Sequence, residues 1–150
     1  MLEKPILKNI QRRQPTMLNN DVLHELGTNF IEYAVAVNTD RAIPNATDGL
    51  KPVAKRILYG AYDCGFKNDK PHVKCANIVG NVMADWHPHG DSSIYGALIR
   101  LSQNWVMRYP LIDFHGANGN IGGDPPAAQR YTEARLAKIT EEGMLSSIKK

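Results

Sequence analysis

A phenol beside a guanidinium suits phosphoryl chemistry, and Gln129-Arg130-Tyr131-Thr132-Glu133-Ala134-Arg135 offers that pair. A free tyrosine hydroxyl, with a pKa of about 10, is a poor nucleophile at neutral pH. A cation within ~4–6 Å favours the phenolate and can also hold the phosphate under attack. Tyrosine is among the side chains that form covalent intermediates. The approach to the pair is Gly116-Ala117-Asn118-Gly119-Asn120-Ile121-Gly122-Gly123-Asp124-Pro125-Pro126, with four glycines and two prolines. Such a composition lets backbone come close to a large ligand in strained geometry. Two readings stand side by side: a flexible loop delivering an Arg-Tyr pair to a polyanion, or a surface loop capping an ordinary amphipathic helix. This stretch alone does not choose between them.

The second chemical cluster is His87-Pro88-His89-Gly90. Two histidines at i and i+2 across a proline do not project together as helical metal ligands at i and i+4 do, and no further ligands join them. No metal site is assigned; hydrogen bonding to phosphate or to a carboxylate suits the pair better. Cys64 and Cys75 lack the spacing of a zinc site or a disulfide framework. They fit a reducing cytosol, packed as small apolar groups.

These residues need a scaffold, and 150 residues suffice for one ordinary core. With 43% hydrophobic and 22% charged residues, the composition is that of a globular protein. No apolar run approaches the ~20 residues of a membrane span, and the first residues lack a signal-peptide core. Lys and Arg number 18 against 15 Asp and Glu, a net +3 that permits nucleic-acid binding without demonstrating it.

Residues 1–27 are expected to form an N-terminal arm, polar and poorly structured over 1–16. A short helix, capped by Asn19 or Asn20, would run through Leu26 and end at Gly27. Residues 28–150 are expected as one domain. Its first apolar segment, 30–37, could be a helix turning into a strand, with 38–44 an extended connection. Asp48-Gly49-Leu50-Lys51-Pro52 reads as a helix start with a capping carboxylate and a first-turn proline. Leu50, Val53, Ala54, Ile57, Leu58 and Ala61 form its apolar stripe, with Lys51, Lys55 and Arg56 off it, and Gly65 closes it. The next helix is expected over 73–86, burying Ala76, Val79, Val82, Met83 and Trp86, and the Pro/Gly turn stops it. Asp91 or Ser92 would cap a further helix with the stripe Ile94, Ala97, Leu98, Leu101 and Trp105. Two helices joined by a tight turn match the helix-turn-helix plan, whose second helix enters the major groove. Ser92, Ser93, Arg100, Gln103 and Asn104 lie on the exposed side of that helix, which equally fits a plain solvated surface. A helix is expected after Tyr131.

Three motifs now stand in order: Asp48-Gly49-Leu50-Lys51-Pro52-Val53, His87-Pro88-His89-Gly90-Asp91-Ser92-Ser93-Ile94-Tyr95, and Ala128-Gln129-Arg130-Tyr131-Thr132-Glu133-Ala134-Arg135. Together they resemble the DNA-breakage subunit of bacterial type IIA topoisomerases, the A subunit of DNA gyrase or topoisomerase IV. The similarity runs from about Phe30 to the last residue. His115-Gly116 and Asp124-Pro125-Pro126-Ala127-Ala128 look more like the topoisomerase IV A subunit of Gram-positive bacteria than like gyrase.

The resemblance implies a mainly α (α+β) fold: a winged-helix domain with a helix-turn-helix and a Gly/Pro-rich catalytic loop. Tyr131 matches the family's active-site tyrosine and Arg130 the arginine beside it. Lys51, Arg56, His87 and His89 fall on positions lining the DNA gate, and Arg41 on its positively charged approach; Arg100 joins them as a candidate phosphate contact. The implied reaction is reversible double-strand breakage through a 5′-phosphotyrosyl bond, with strand passage driven by ATP. Arg130 and Mg²⁺ would stabilise charge on the phosphate. The implied partners are double-stranded DNA and a B subunit holding Mg²⁺ and ATP, within an A2B2 complex built on an A-subunit homodimer in the bacterial cytoplasm, at the nucleoid. The resemblance further implies that this stretch alone does not relax DNA. Ser92 matches the serine, and Gly96 the acidic residue, that anchor a quinolone-bound Mg²⁺ through waters. The sequence departs from the family at Ala54, at Lys55 in place of arginine, at Gln129 where methionine is usual, and at Gly122 before Gly123. The competing reading is a non-catalytic paralogue that binds DNA through the helix-turn-helix or binds a topoisomerase.

Overall fold

The computed structural model describes residues 22–146, which fall into two compact units, one ending at Ala36 and one running from Val37. The arm at 1–16, the caps at Asn19 and Asn20, and the last four residues lie outside the described residues. Helix α1, Val22–Val37, passes straight through Gly27 instead of ending there. A lone interior glycine costs a helix only about 1 kcal/mol relative to alanine, so it punctuates weakly without a proline beside it. Leu26, Phe30, Ile31, Tyr33 and Val35 are exposed on α1.

In the second unit the expected extended connection is a π-helical turn, Asn38–Ala42, closed by Ile43 N–H donating to the Asn38 carbonyl at 3.0 Å. Helix α2 covers Pro52–Asp63 with proline in its first turn. Asp48 does not cap it; its Oδ1 accepts from Leu50 N–H at 2.9 Å and tightens the turn before the helix. Gly65, at φ 76, ends the helix as expected, with Phe66 N–H reaching back to the Ala61 carbonyl at 2.9 Å. Leu50, Ala54, Ile57, Leu58 and Ala61 are buried, so the predicted stripe is the core face.

The expected helix over 73–86 divides. Val73–Lys74 is a short strand, β1, and helix α3 covers Cys75–Asp85. Its buried face is Cys75, Ile78, Val79 and Val82, while Met83 and Trp86 are exposed. Helix α4, Asp91–Ser102, follows the Pro/Gly turn and buries Ile94, Ala97, Leu98, Ile99 and Leu101. Gly90 holds its cap position, with no side-chain cap from Asp91 or Ser92. Trp105 lies past the helix end and is exposed.

Strands β2, Ile112–His115, and β3, Glu133–Leu136, complete an antiparallel sheet in the order β1-β3-β2. Tyr131 is therefore followed by a strand, not a helix, and the reading of its loop as a helix cap is overturned. The segment is rich in helix formers, but pairing on both sides decides: Ala134 lies opposite Val73 on one neighbour and Phe114 on the other. Ala134 and Leu136 point into the core, fully buried. On the opposite face, ion pairs join Lys74 to Glu133 at 2.9 Å and Arg135 to Asp113 at 2.8 Å. Helices α2–α4 against a small antiparallel sheet make a mainly α, winged-helix-like fold with α3-turn-α4 as its helix-turn-helix.

Candidate functional site

Helix α3 has no side-chain cap, and its first amides, like those of any helix, lack partners within the helix. Carbonyls on either side of the Arg130-Tyr131 pair supply them. Cys75 N–H donates to the Thr132 carbonyl at 3.0 Å and Ala76 N–H to the Gln129 carbonyl at 3.2 Å. Tyr131 N–H closes the turn onto the Ala128 carbonyl at 2.9 Å. Residues 129–132 thus form an arch standing on the head of α3, and Tyr131, 68% exposed, projects from it. The Arg130 guanidinium lies over the Tyr131 ring, 4.7 Å from its centroid, a cation–π contact that leaves the phenol oxygen open.

The loop before the arch is pinned rather than free. Gly116, Gly119 and Gly123 take positive φ; at Gly119 an added Cβ would stand 2.9 Å from the Asp124 carbonyl oxygen, so only glycine fits. Ala127 N–H donates to the Ala117 carbonyl at 2.9 Å, and Asn120 binds Asp124 through side chain and backbone. The two ends of α4 hold the loop. Beyond the C-terminal end of α4, Gln103 Nε2 donates to the Asn118 carbonyl at 2.6 Å, while Asn118 Nδ2 reaches Ser102. At the head, Gln129 Nε2 donates to Asp91 Oδ2 at 2.8 Å. The sequence marked Gln129 only as a departure; its bond to Asp91, 38 residues away, became visible in the fold.

The basic candidates converge elsewhere on the unit. Arg41, Lys51, His87 and Arg100 line one cavity of about 460 Å³, together with Ser93 and Asp40. Arg56 joins them by donating from Nη1 to His87 Nδ1 at 2.7 Å. A guanidinium can only donate, so Nδ1 accepts and the His87 proton sits on Nε2. Burial lowers the His87 pKa, helped by His89, Arg56 and Arg41, so the ring is neutral. His89 is exposed, its ring edge-on to His87 at 4.4 Å between centroids. Lys55 turns away to Asp48 at 2.8 Å; burial of Asp48 is outweighed by that contact and by the Leu50 amide, and its carboxyl lies below the usual range. Arg130 and Tyr131 are not among the residues lining the cavity.

Ser92 sits exposed in the first turn of α4, and Gly96 lies one turn on, where an added Cβ would meet nothing within 4 Å. Among the described residues no group of three His, Cys, Asp or Glu side chains is placed to hold a metal ion. No described helix is long and apolar enough to cross a membrane.

A family model for the A subunit of DNA gyrase and topoisomerase IV matches residues 41–150. The chain belongs to this family. It is 54% identical over 122 residues to the DNA gyrase A subunit of Deinococcus deserti, an overlap covering 81% of the chain and 15% of that protein. Over 134 residues it is 52% identical to the DNA gyrase A subunit of Thermotoga maritima, covering 89% of the chain and 16% of the relative. Another gyrase relative, from Synechocystis, is 47% identical over 132 residues, covering 88% of the chain and 15% of its own length. The chain thus spans only 15–16% of the relatives it matches. All three carry the gyrase name, whereas residues 115–116 and 124–128 lean toward topoisomerase IV; the family model spans both.

Proposed function

We propose that this chain is the DNA-cleaving part of a type IIA topoisomerase A subunit, with Tyr131 as nucleophile and Arg130 as its electrostatic partner. The observation that carries the reading is the exposed Tyr131-Arg130 pair held on a capped arch, in a chain of this family. Tyr131 Oη attacks a backbone phosphorus, the bond to the 3′ oxygen breaks, and the phenol proton is lost while the 3′ oxygen gains one. The new ester leaves the phosphate joined to tyrosine at the 5′ end. One phosphodiester replaces another, so the energy is retained and resealing requires no nucleotide. Arg130 supplies donors to the phosphate oxygens as charge develops.

Arg41, Lys51, Arg56, His87, His89 and Arg100 would bind double-stranded DNA through its phosphates. The described donor set does not compose a Mg²⁺ site, so Mg²⁺ and ATP are assigned to a B subunit, in an A2B2 complex built on an A-subunit homodimer and located in the cytoplasm at the nucleoid. The gyrase name of the relatives supports that assignment for the whole protein, relaxation, supercoiling or decatenation included.

The test uses the full-length protein assembled with its B subunit. Tyr131→Phe should abolish covalent protein–DNA adducts while leaving DNA affinity within about twofold, since one hydroxyl outside the basic cavity adds little to counterion release. Adducts that persist in this variant would remove Tyr131 as the nucleophile.

A further inference from the structure

Between α3, α4 and the arch runs a chain of buried hydroxyls that no step above uses. Tyr95 Oη on α4 contacts both the Ala127 carbonyl, before the arch, and Thr132 Oγ1, at its far end, the latter at 3.0 Å. Thr132 is 1% exposed, and Cys75, fully buried at the head of α3, hydrogen-bonds its side chain.

Valence fixes the direction. The Ala127 carbonyl can only accept, so Tyr95 donates there. Its single proton spent, Tyr95 accepts from Thr132 Oγ1, which in turn accepts from the Cys75 thiol. Burial raises the Tyr95 phenol above its ordinary value and raises the Cys75 thiol as well, keeping both protonated as this direction requires. The chain is Cys75 S–H, Thr132 O–H, Tyr95 O–H, Ala127 C=O, each bond polarising the next. Gly116 completes the enclosure: an added Cβ there would stand 3.0 Å from Thr132 Cγ2.

We propose that Tyr95 and Thr132 are positioning residues for the nucleophile, tying both feet of the Tyr131 arch to helix α4. The inference rests on the reading of Tyr131 as nucleophile. Backbone bonds to α3 fix the height of the arch; the hydroxyl chain fixes its rotation about those bonds, because it grips Ala127 and Thr132 on either side of Tyr131. Tyr95 touches neither DNA nor the reacting phosphate. It acts on the aim of Tyr131 Oη, to which in-line displacement is sensitive: a misplacement near 1 Å can cost on the order of 100-fold in rate.

The experiment is carried out on the full-length complex with its B subunit, measuring the single-turnover rate of adduct formation, the DNA Kd and Tm. Tyr95→Phe keeps the ring and removes only the hydroxyl; Thr132→Val does the same isosterically, and Thr132→Ser restores the hydroxyl. Tyr95→Phe and Thr132→Val should each slow adduct formation by ~10- to 100-fold with Kd within about twofold of the parent. Thr132→Ser should retain the parental rate, and the double variant should be no slower than the worse single. A Tyr95→Phe rate within twofold of the parent overturns the inference. So does a slow rate accompanied by an equal loss of DNA affinity, or one that returns to the parental value once compared at equal distance below Tm. Tyr131→Phe run in parallel separates the two readings: adducts there overturn the nucleophile itself, whereas their absence with a fast Tyr95→Phe overturns only the positioning role.

Discussion

A neutral imidazole that accepts from an arginine is acid-sensitive, and His87 is such a group. Its folded pKa is depressed by burial and by the neighbouring His89, Arg56 and Arg41 from an ordinary value of 6.5. Below that value the unfolded chain takes up a proton that the folded chain refuses. The stabilisation is therefore complete above about 6.5 and is lost as pH falls through the folded pKa. Urea unfolding of the chain between pH 7.5 and 5 should show this as a falling midpoint, and His87→Asn should flatten the fall. An equal slope in both proteins would contradict it. Gly96 supports a second residue-scale prediction. Four positions after Ser92, it shares a helical face with that serine and offers no acceptor, while an added side chain meets open space. In the assembled enzyme, Gly96→Glu should raise quinolone-stabilised cleavage complexes above the parent; no change would remove the water-bridge argument. The sequence named these residues because side-chain types and motif spacing are local information. Their partners were hidden: Arg56 meets His87 across 31 positions and Tyr95 meets Thr132 across 37, and only the packing of α2, α3 and α4 brings them together.

Helix α2 was legible as an element and α3 only in part, for a physical reason. Along α2 the apolar residues form one stripe with charges off it, so a single rotation satisfies the pattern. Along α3 the apolar positions include 75, 76, 78, 79, 82, 83, 84 and 86, and two rotations bury nearly the same number. Contact with α2 selects the one that buries Cys75 and Ile78 and leaves Met83 out. That contact can be probed at Gly60, where an added Cβ would lie 3.0 Å from Val82 Cγ2 and 3.1 Å from Trp86 Cδ1. Trp86 stands at the end of α3 and can yield, but Val82 is fully buried and cannot. Gly60→Ala gains up to ~1 kcal/mol of helix propensity against ~1–3 kcal/mol for overpacking, so it should destabilise. Gly80 on α3 has open space around the same atom, and Gly80→Ala should stabilise by up to ~1 kcal/mol. Urea midpoints moving in the same direction for both variants would refute the packing argument. Strand β3 escaped the sequence reading because Glu-Ala-Arg-Leu alternates over only four residues of good helix formers, and its two neighbours come from distant parts of the chain.

Across the whole molecule, net charge says little and placement says much. The formal balance is only +3, yet Arg41, Lys51 and Arg100 converge on one cavity with Arg56 behind them. Lys55 sits close by in sequence but is held by Asp48 at 2.8 Å. Phosphate binding by such a surface is driven by counterion release and carries almost no sequence preference. The logarithm of DNA affinity should therefore fall linearly with the logarithm of salt concentration. Arg100→Ala or Lys51→Ala should flatten the slope by ~0.9 for one lost phosphate contact. Lys55→Ala should leave it nearly unchanged, because its ammonium is already engaged by a carboxylate and does not line the cavity. Asp40 also lines the cavity, so Asp40→Asn should strengthen binding by removing repulsion from the approaching backbone. Fluorescence anisotropy with two unrelated duplexes of equal length, across a salt series, measures all four variants together. Equal flattening by Lys55→Ala and Arg100→Ala would mean that general charge, not the cavity, sets the affinity. A strong preference for one duplex at physiological salt would mean that α4 reads bases, and the helix-turn-helix would then serve sequence recognition rather than a gate through which any duplex must pass.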